Sequence, residues 1–277
     1  MELWYTEDQT PSLKFSCKVR ETLAVVQTPF QHLAIIDTEA FGPMLVLDGM
    51  VMTTVADEFV YHEMISHPAL FTHPCPRQVA VIGGGDGGAI REVLKHSQVE
   101  KAILAEIDRD VIAQSRKFLP EIAGALDDPK VEIHVGDGFA YLREHKGEFD
   151  VILVDSTEPV GPAVALFSGD FYAAVYAALK PDGIMVAQTE SPFYNQEVLI
   201  GAYKGMQAIF PKVSTYLTSI PTYPSGLWSF TLASKKYDPL HDQRQPHSGF
   251  NSKYYTPELH RSCFVLPRFV QELLSRP

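Results

Sequence analysis

Cysteine is scarce. The chain has three in 277 residues, Cys17, Cys75 and Cys263, with no CxxC pair. So thin a set builds neither a disulfide framework nor a zinc ribbon, and a reducing cytoplasm suits it. No run of about 18 apolar residues occurs, so no membrane span is expected. The opening MELWYTEDQT lacks a basic stretch leading into an apolar one and does not read as a signal peptide. Cations are outnumbered, 23 Lys and Arg against 34 Asp and Glu, for a net charge of −11. That balance argues against nucleic acid, whose phosphates reward clustered Lys and Arg. It is compatible with a cationic small ligand. No Ser-His-Asp or Cys-His arrangement suited to hydrolysis stands out, and there is no internal repeat.

What is present changes character near residue 75. Before it, HLAIIDT (32–38), MLVLDG (44–49) and VMTTV (51–55) are strand-like runs parted by turn signals such as Asp48-Gly49. They predict a small antiparallel sheet. Residues 57–71 predict a helix opened by Asp57 and disturbed by Pro68. From Arg77 onward strand, loop and helix alternate. Strands are expected at 79–83, 102–107, 131–135, 150–155 and 184–188, and helices at 88–96, 109–118, 138–145, 168–179 and 195–209. Several of these strands are apolar on both faces, and the alternation implies an α/β class with a parallel, doubly wound sheet. An antiparallel pair, 213–217 and 228–234, closes it, and polar 235–249 reads as loop. The expected division is 1–75, a β-domain with a linking helix, and 76–277, a Rossmann-like domain.

Ligands of such sheets lie beyond the carboxyl ends of the strands. There the sequence places Asp86 inside Gly83-Gly84-Gly85-Asp86-Gly87-Gly88, then Glu106, Asp137 in Gly136-Asp137-Gly138, Asp155 with Glu158, and Glu190 after Gln188. One such acid is an ordinary helix cap; five along one edge exceed what capping explains. Gly83-x-Gly85-x-x-Gly88 fits a dinucleotide fingerprint, with Glu106 positioned 18 residues on for ribose hydroxyls. Asp86, however, repels the pyrophosphate that a helix N-terminus attracts. The loop therefore favours a nucleoside bearing a cation, a sulfonium or an amine, over NAD. The opposing reading has Asp86 turned away to cap the helix. Asp155 and Glu158 stand three apart in DSTEPVGP, where two acids can bracket an ammonium or one can take its proton. HEMISH invites a zinc reading, but its histidines, His62 and His67, are five apart. Five residues turn a helix by roughly 140° off a common face, so no metal site is expected there.

Together LVLDGMVMTT (45–54), DEFVYHEM (57–64), VIGGGDGGAIREVLKH (81–96), GDGF (136–139), DSTEPVGPA (155–163), LFSGDFY (166–172) and IPTYPSGLW (220–228) resemble the polyamine aminopropyltransferases. The resemblance runs nearly end to end. It implies a Rossmann-like, methyltransferase-type sheet behind a small N-terminal β-domain. It implies aminopropyl transfer from decarboxylated S-adenosylmethionine, a co-substrate, to putrescine, with no resident cofactor and no metal. It also implies a cytoplasmic homodimer or homotetramer. By residue, it assigns Gln31, Asp86, Glu106, Asp137, Gly138 and Pro162 to the donor. Tyr61, His62, Asp155, Glu158, Gln188, Tyr223 and Trp228 fall to the acceptor, with Asp155 as proton acceptor. A methyltransferase acting on an amine and a catalytically silent polyamine-binding protein are the alternatives. Val81 and Ile82, standing where many methyltransferases carry an acid, count against the former.

Overall fold

The computed structural model describes residues 2–157 and 161–276, with 161 and 162 described by backbone alone. Its first sheet is a five-stranded antiparallel meander in the order β1 (Leu3–Thr10), β2 (Leu13–Gln27), β3 (His32–Thr38), β4 (Gly42–Leu47) and β5 (Met50–Thr54). The last three match the expected runs. The long β1–β2 hairpin is additional, and its faces are largely exposed and rich in charge, so no apolar alternation marks it.

Next comes α1 (Glu58–Thr72), and the alternating part follows: β6 (Gln78–Gly83), α2 (Gly88–Leu94), β7 (Lys101–Glu106), α3 (Arg109–Phe118), α4 (Pro120–Ala123), β8 (Val131–Val135), α5 (Gly138–Glu144), β9 (Phe149–Asp155), α6 (Gly169–Ala178), β10 (Leu179–Gln188), α7 (Gln196–Gln207), β11 (Lys212–Ser219), β12 (Leu227–Ser234), α8 (Pro257–Cys263) and α9 (Arg268–Leu274). The second sheet has the order β11-β12-β10-β9-β6-β7-β8. Strands β6 to β10 are mutually parallel, and β12 lies antiparallel between β10 and β11. This is the doubly wound α/β sheet that the alternation predicts. Short α4, α8 and α9 have no expected counterpart.

Burial follows the pleat. Val79 and Val81 of β6 join the core that holds Met64, Ala89 and Ile90, while Ala80 and Ile82 join the opposite core with Leu142, Phe171 and Val175. Each strand residue is thus buried on one side or the other, as helices on both faces require. The first sheet is fixed to the second through Leu33, Ile35, Leu45 and Leu47, which pack on Val111, Leu119 and Ile122 near α3 and α4.

Pro68 does not end α1. A proline lacks the N–H that the carbonyl four residues back expects. Here that carbonyl, of Met64, accepts a hydrogen bond from the Tyr216 hydroxyl at 2.7 Å. Nor does Asp57 cap the helix with its side chain. It accepts from Thr54 Oγ1 and, through Oδ2, from the N–H and hydroxyl of Thr222, tying the start of α1 to the β11–β12 loop. No helix among the described residues is long and apolar enough to cross a membrane.

Candidate active site

The parallel strands reverse their order at β6, whose neighbours are β7 and β9. At this switch point Gly83 is in register with Asp155. A cavity of about 210 Å³ opens there, over the carboxyl ends of the strands, where the sheet rule places a ligand. Into it come Gln31, Tyr61, His62, Asp86, Glu106, Asp137, Gly138, Asp155 and Tyr223, nine of the thirteen residues expected at the site. A smaller cavity of about 40 Å³ shares Met52, Tyr61, Ser156 and Tyr223 with it and is lined further on by Gln188 and Trp228. Glu158 and the side chain of Pro162 lie outside the described residues.

Asp86 is not turned away, although it does bond to the start of the helix. Its Oδ1 accepts the Gly88 N–H at 2.7 Å, at the start of α2, and the same carboxylate faces the cavity and His62 Nε2 at 3.4 Å. His62 Nδ1 meets Glu58 Oε2 at 2.6 Å, and Arg91 grips both oxygens of Glu58 at 2.9 and 2.7 Å. Burial opposes charge on His62, yet Asp86 and Glu58 hold its imidazole well above the usual histidine range. Burial likewise works against the Asp86 carboxylate, and the His62 cation and Gly88 N–H outweigh it, keeping Asp86 below the usual range.

Asp155 behaves in the opposite way. Its Oδ1 accepts from the Tyr61 hydroxyl at 2.7 Å, while Oδ2 is buried without a partner among the described residues. Removal from water, then the charge of Asp86, push this carboxyl up to about 6, against the pull of His62 and Tyr61. Burial holds the phenols of Tyr61 and Tyr223 well above the usual range, so both remain neutral donors. Tyr223 gives its hydrogen to Met52 O at 2.6 Å, and its ring lies 5.7 Å from that of Tyr61 and 4.7 Å from Trp228.

Glu106 accepts the N–H of Gly85 at 3.1 Å and of Asp108 at 2.8 Å. Burial pushes it up to about 7 despite these bonds. Asp137 caps α5 through the N–H groups of Phe139 and Ala140 and also lines the cavity. Gln31 reaches the site from the β2–β3 loop and donates to Asp108 Oδ2 at 2.8 Å, beside Thr28 Oγ1 at 2.7 Å.

The glycines of the loop make room for these groups. Gly84, at φ +70°, would put a Cβ 2.6 Å from Asp155 Oδ2; a Cβ on Gly88 would fall 2.2 Å from Cε1 of His62. Neither leaves space for a side chain.

Four further groups emerge that the expected set omits. Glu58 and Arg91 stand behind His62. Glu7 and Glu190 line the smaller cavity. Glu190, two residues past the end of β10, has φ +69°, a left-handed backbone that bulky side chains rarely adopt, and its Oε1 accepts from Gln188 Nε2 at 3.0 Å. Glu190 stands among the five acids of the sheet edge, so its position is legible in the sequence. Glu7 is not, because it comes from the unanticipated β1. Ser156 Oγ and Trp228 Nε1 are buried with no partner among the described residues and lie at the same cavities. Such atoms call for a ligand or water.

Elsewhere, ligand-type atoms of Glu63, His67 and Glu92 come within 4.8 Å of one another. Other bonds occupy them: Glu63 accepts the N–H groups of Lys253, Tyr254 and Tyr255, and Glu92 pairs with Arg91, His67 and Lys95. His62 and His67 thus serve different clusters.

A family model described as the spermine/spermidine synthase domain matches residues 58–244, and one described as the spermidine synthase tetramerisation domain matches 3–55. The chain is 59% identical over 275 residues to the polyamine aminopropyltransferase of Caldicellulosiruptor bescii, covering 99% of each. It is 55% identical over 274 residues to that of Bacillus subtilis, again over 99% of each. Among solved structures, a spermidine synthase in complex with the transition-state analogue AdoDATO superposes with a TM-score of 0.96 at 45% identity, over 98% of this chain and 94% of that one. The spermidine synthase of Thermotoga maritima gives 0.94 at 44% identity, with the same coverage. The chain belongs to the spermine/spermidine synthase family.

Proposed function

We propose that this protein is an aminopropyltransferase that joins the aminopropyl group of decarboxylated S-adenosylmethionine to putrescine, giving spermidine and 5′-methylthioadenosine. The observation that carries the reading is one cavity holding two carboxylates in opposed states, Asp86 kept ionised and Asp155 poised to accept a proton. Environments that drive two acids apart in this way divide binding from proton transfer.

In this reading Glu106 accepts from the ribose hydroxyls, Asp137 and the Gly138 backbone meet the adenine, and Gln31 and Pro162 line the nucleoside. Asp86 binds the donor's primary ammonium. Putrescine lies along Tyr61 and Tyr223, with its reacting nitrogen at Asp155 and its far ammonium toward Gln188, Glu190, Glu7 and Trp228. Glu158 completes the binding of the amines, and His62 acts on them through Asp86, which it faces at 3.4 Å. Asp155 takes one proton from the reacting ammonium. The freed nitrogen pair then forms a bond to the propyl carbon as the carbon–sulfur bond breaks, and its electrons return to sulfur as neutral methylthioadenosine. Holding amine and sulfonium in line supplies much of the acceleration. The donor is consumed, so it is a co-substrate, and no resident cofactor or metal enters the reaction. The N-terminal sheet, matched by the tetramerisation domain, supports a homo-oligomer, either dimer or tetramer. Three free thiols suit a cytoplasmic setting.

Mass spectrometry of the protein with putrescine and either donor tests this. Methylthioadenosine and spermidine should form from the decarboxylated donor alone. S-adenosylhomocysteine from ordinary S-adenosylmethionine would instead make the protein a methyltransferase, and no product from either would leave a binding protein.

A further inference from the structure

The division of labour between Asp86 and Asp155 needs a cause, since both carboxylates line one cavity at one sheet edge. What differs is what stands behind them. Behind Asp155 is a neutral phenol, Tyr61. Behind Asp86 is His62, and behind His62 are Glu58 and then Arg91, each within hydrogen-bonding or ion-pair distance of the next.

The two ring nitrogens of His62 both face carboxylate oxygens, Nδ1 at 2.6 Å from Glu58 and Nε2 at 3.4 Å from Asp86. A neutral imidazole has one N–H and can satisfy only one of these acceptors; an imidazolium satisfies both. Arg91 fixes Glu58 by a two-pronged contact and so holds it in place beneath the ring. On the other side, Gly88 leaves the ring no side chain to yield to. The charges therefore alternate along one line: Arg91 positive, Glu58 negative, His62 positive, Asp86 negative. Tyr61 from α1, Glu106 from β7, Asp155 from β9 and Tyr223 from the β11–β12 loop are further titratable groups that interact with Asp86 or Asp155. Among these neighbours no further cation stands beside Asp155.

We propose that Glu58, anchored by Arg91, is a positioning residue that keeps His62 an imidazolium against Asp86, so that Asp86 stays a carboxylate for the donor's ammonium and Asp155 is left as the acid that takes up a proton. The inference rests on the aminopropyl-transfer reading. It adds that the assignment of roles is set from α1 and α2, by residues that touch neither substrate. The directions of the shifts on His62, Asp86 and Asp155 agree with it.

The test compares two ligands that share the nucleoside. Decarboxylated S-adenosylmethionine carries the primary ammonium; methylthioadenosine lacks it. Their affinities are measured by calorimetry at pH 8 for the wild type, Glu58→Gln and His62→Gln. The wild type should bind the ammonium-bearing donor more tightly. Both variants should lose at least about tenfold of donor affinity, or about 1.4 kcal/mol, and keep methylthioadenosine affinity within about twofold. For Glu58→Gln the donor deficit should narrow as pH falls from 8 to 6, because His62 then regains the proton that Glu58 no longer helps it keep. Equal loss for both ligands would mean a purely structural role and overturn the proposal, as would no loss for either. Should Glu58→Gln fail to fold, His62→Gln decides: an unchanged ratio of the two affinities overturns it. A wild type that does not prefer the donor over methylthioadenosine would overturn the aminopropyl reading itself, and this inference with it.

Discussion

The hydroxyl of Tyr61 donates to Oδ1 of Asp155 over 2.7 Å, and the other oxygen of that carboxylate is buried with nothing to accept from among the described residues. One half of the carboxylate is thus held in place and the other is left for a proton. The two residues, one on α1 and one on β9, are 94 apart in sequence.

Asp155 is the proposed base, so its loss should be felt in turnover and not in folding. We expect Asp155→Asn to keep its circular dichroism and to lose about 10²–10⁴ in kcat. In the wild type, kcat/KM should rise with pH through about 6, where Asp155 of the free protein gives up its proton, and this limb should be missing from the residual activity of the variant. Steady-state kinetics from pH 5 to 9 checks both. Near-normal turnover in the variant would remove Asp155 from the mechanism.

Tyr61 works on the same limb from the other side. A hydrogen bond to a carboxylate favours its charged form. Tyr61→Phe removes that bond and keeps the ring against Tyr223 and Phe230. The acid limb should move to higher pH, with kcat at pH 8 down by about tenfold. A shift to lower pH would contradict the assignment.

Glu106 ties nucleoside affinity to pH. Ribose hydroxyls donate to the carboxylate, and protonation removes an acceptor. Because burial raises this group from 4.5 to about 7, methylthioadenosine should bind more weakly as pH drops below about 7, approaching tenfold per unit. Stability of the free protein carries the opposite sign. The folded state prefers the protonated acid, so this group's contribution to stability is present below about 4.5 and is lost as pH rises through about 7. Glu106→Gln should flatten both dependences in calorimetry and thermal melts.

Glu7 should separate acceptor from donor. It lines the smaller cavity, away from the residues proposed to hold the nucleoside, with Oε1 accepting the Val51 N–H at 3.0 Å. Glu7→Gln keeps the shape and removes a charge. We expect the KM for putrescine to rise by about tenfold or more, the cost of one charge-assisted contact, with the KM for the donor unchanged. Equal effects on both would place Glu7 in the scaffold alone.

Much of the sheet-edge wall of the cavity was legible in the sequence, because a parallel sheet sends its loops to one edge. Asp86, Glu106, Asp137 and Asp155 could be gathered there by counting strands. The other wall resisted. Tyr61 and His62 lie on a helix that crosses to the edge, and Tyr223 and Trp228 arrive from the antiparallel end of the sheet. Their convergence depends on packing, not on spacing, so resemblance alone indicated it. Glu7 escaped altogether, since the hairpin bearing it is charged on its faces and lacks the apolar alternation of a half-buried strand. Pro68 misled in another way. A local rule predicts a broken hydrogen bond, and a tyrosine about 150 residues away, Tyr216, satisfies the carbonyl instead.

The glycine-rich loop acts as a mould. The space missing at Gly84 is filled by the carboxylate of Asp155, and that at Gly88 by the ring of His62. A pattern usually searched for as a phosphate cradle has here been emptied for the protein's own acid and imidazole. Positions 84 and 88 thereby hold the casts of the proposed base and of the imidazole that backs the proposed donor-binding acid. A larger residue at either glycine should therefore impair proton transfer or donor binding, with no change to a residue proposed to touch substrate.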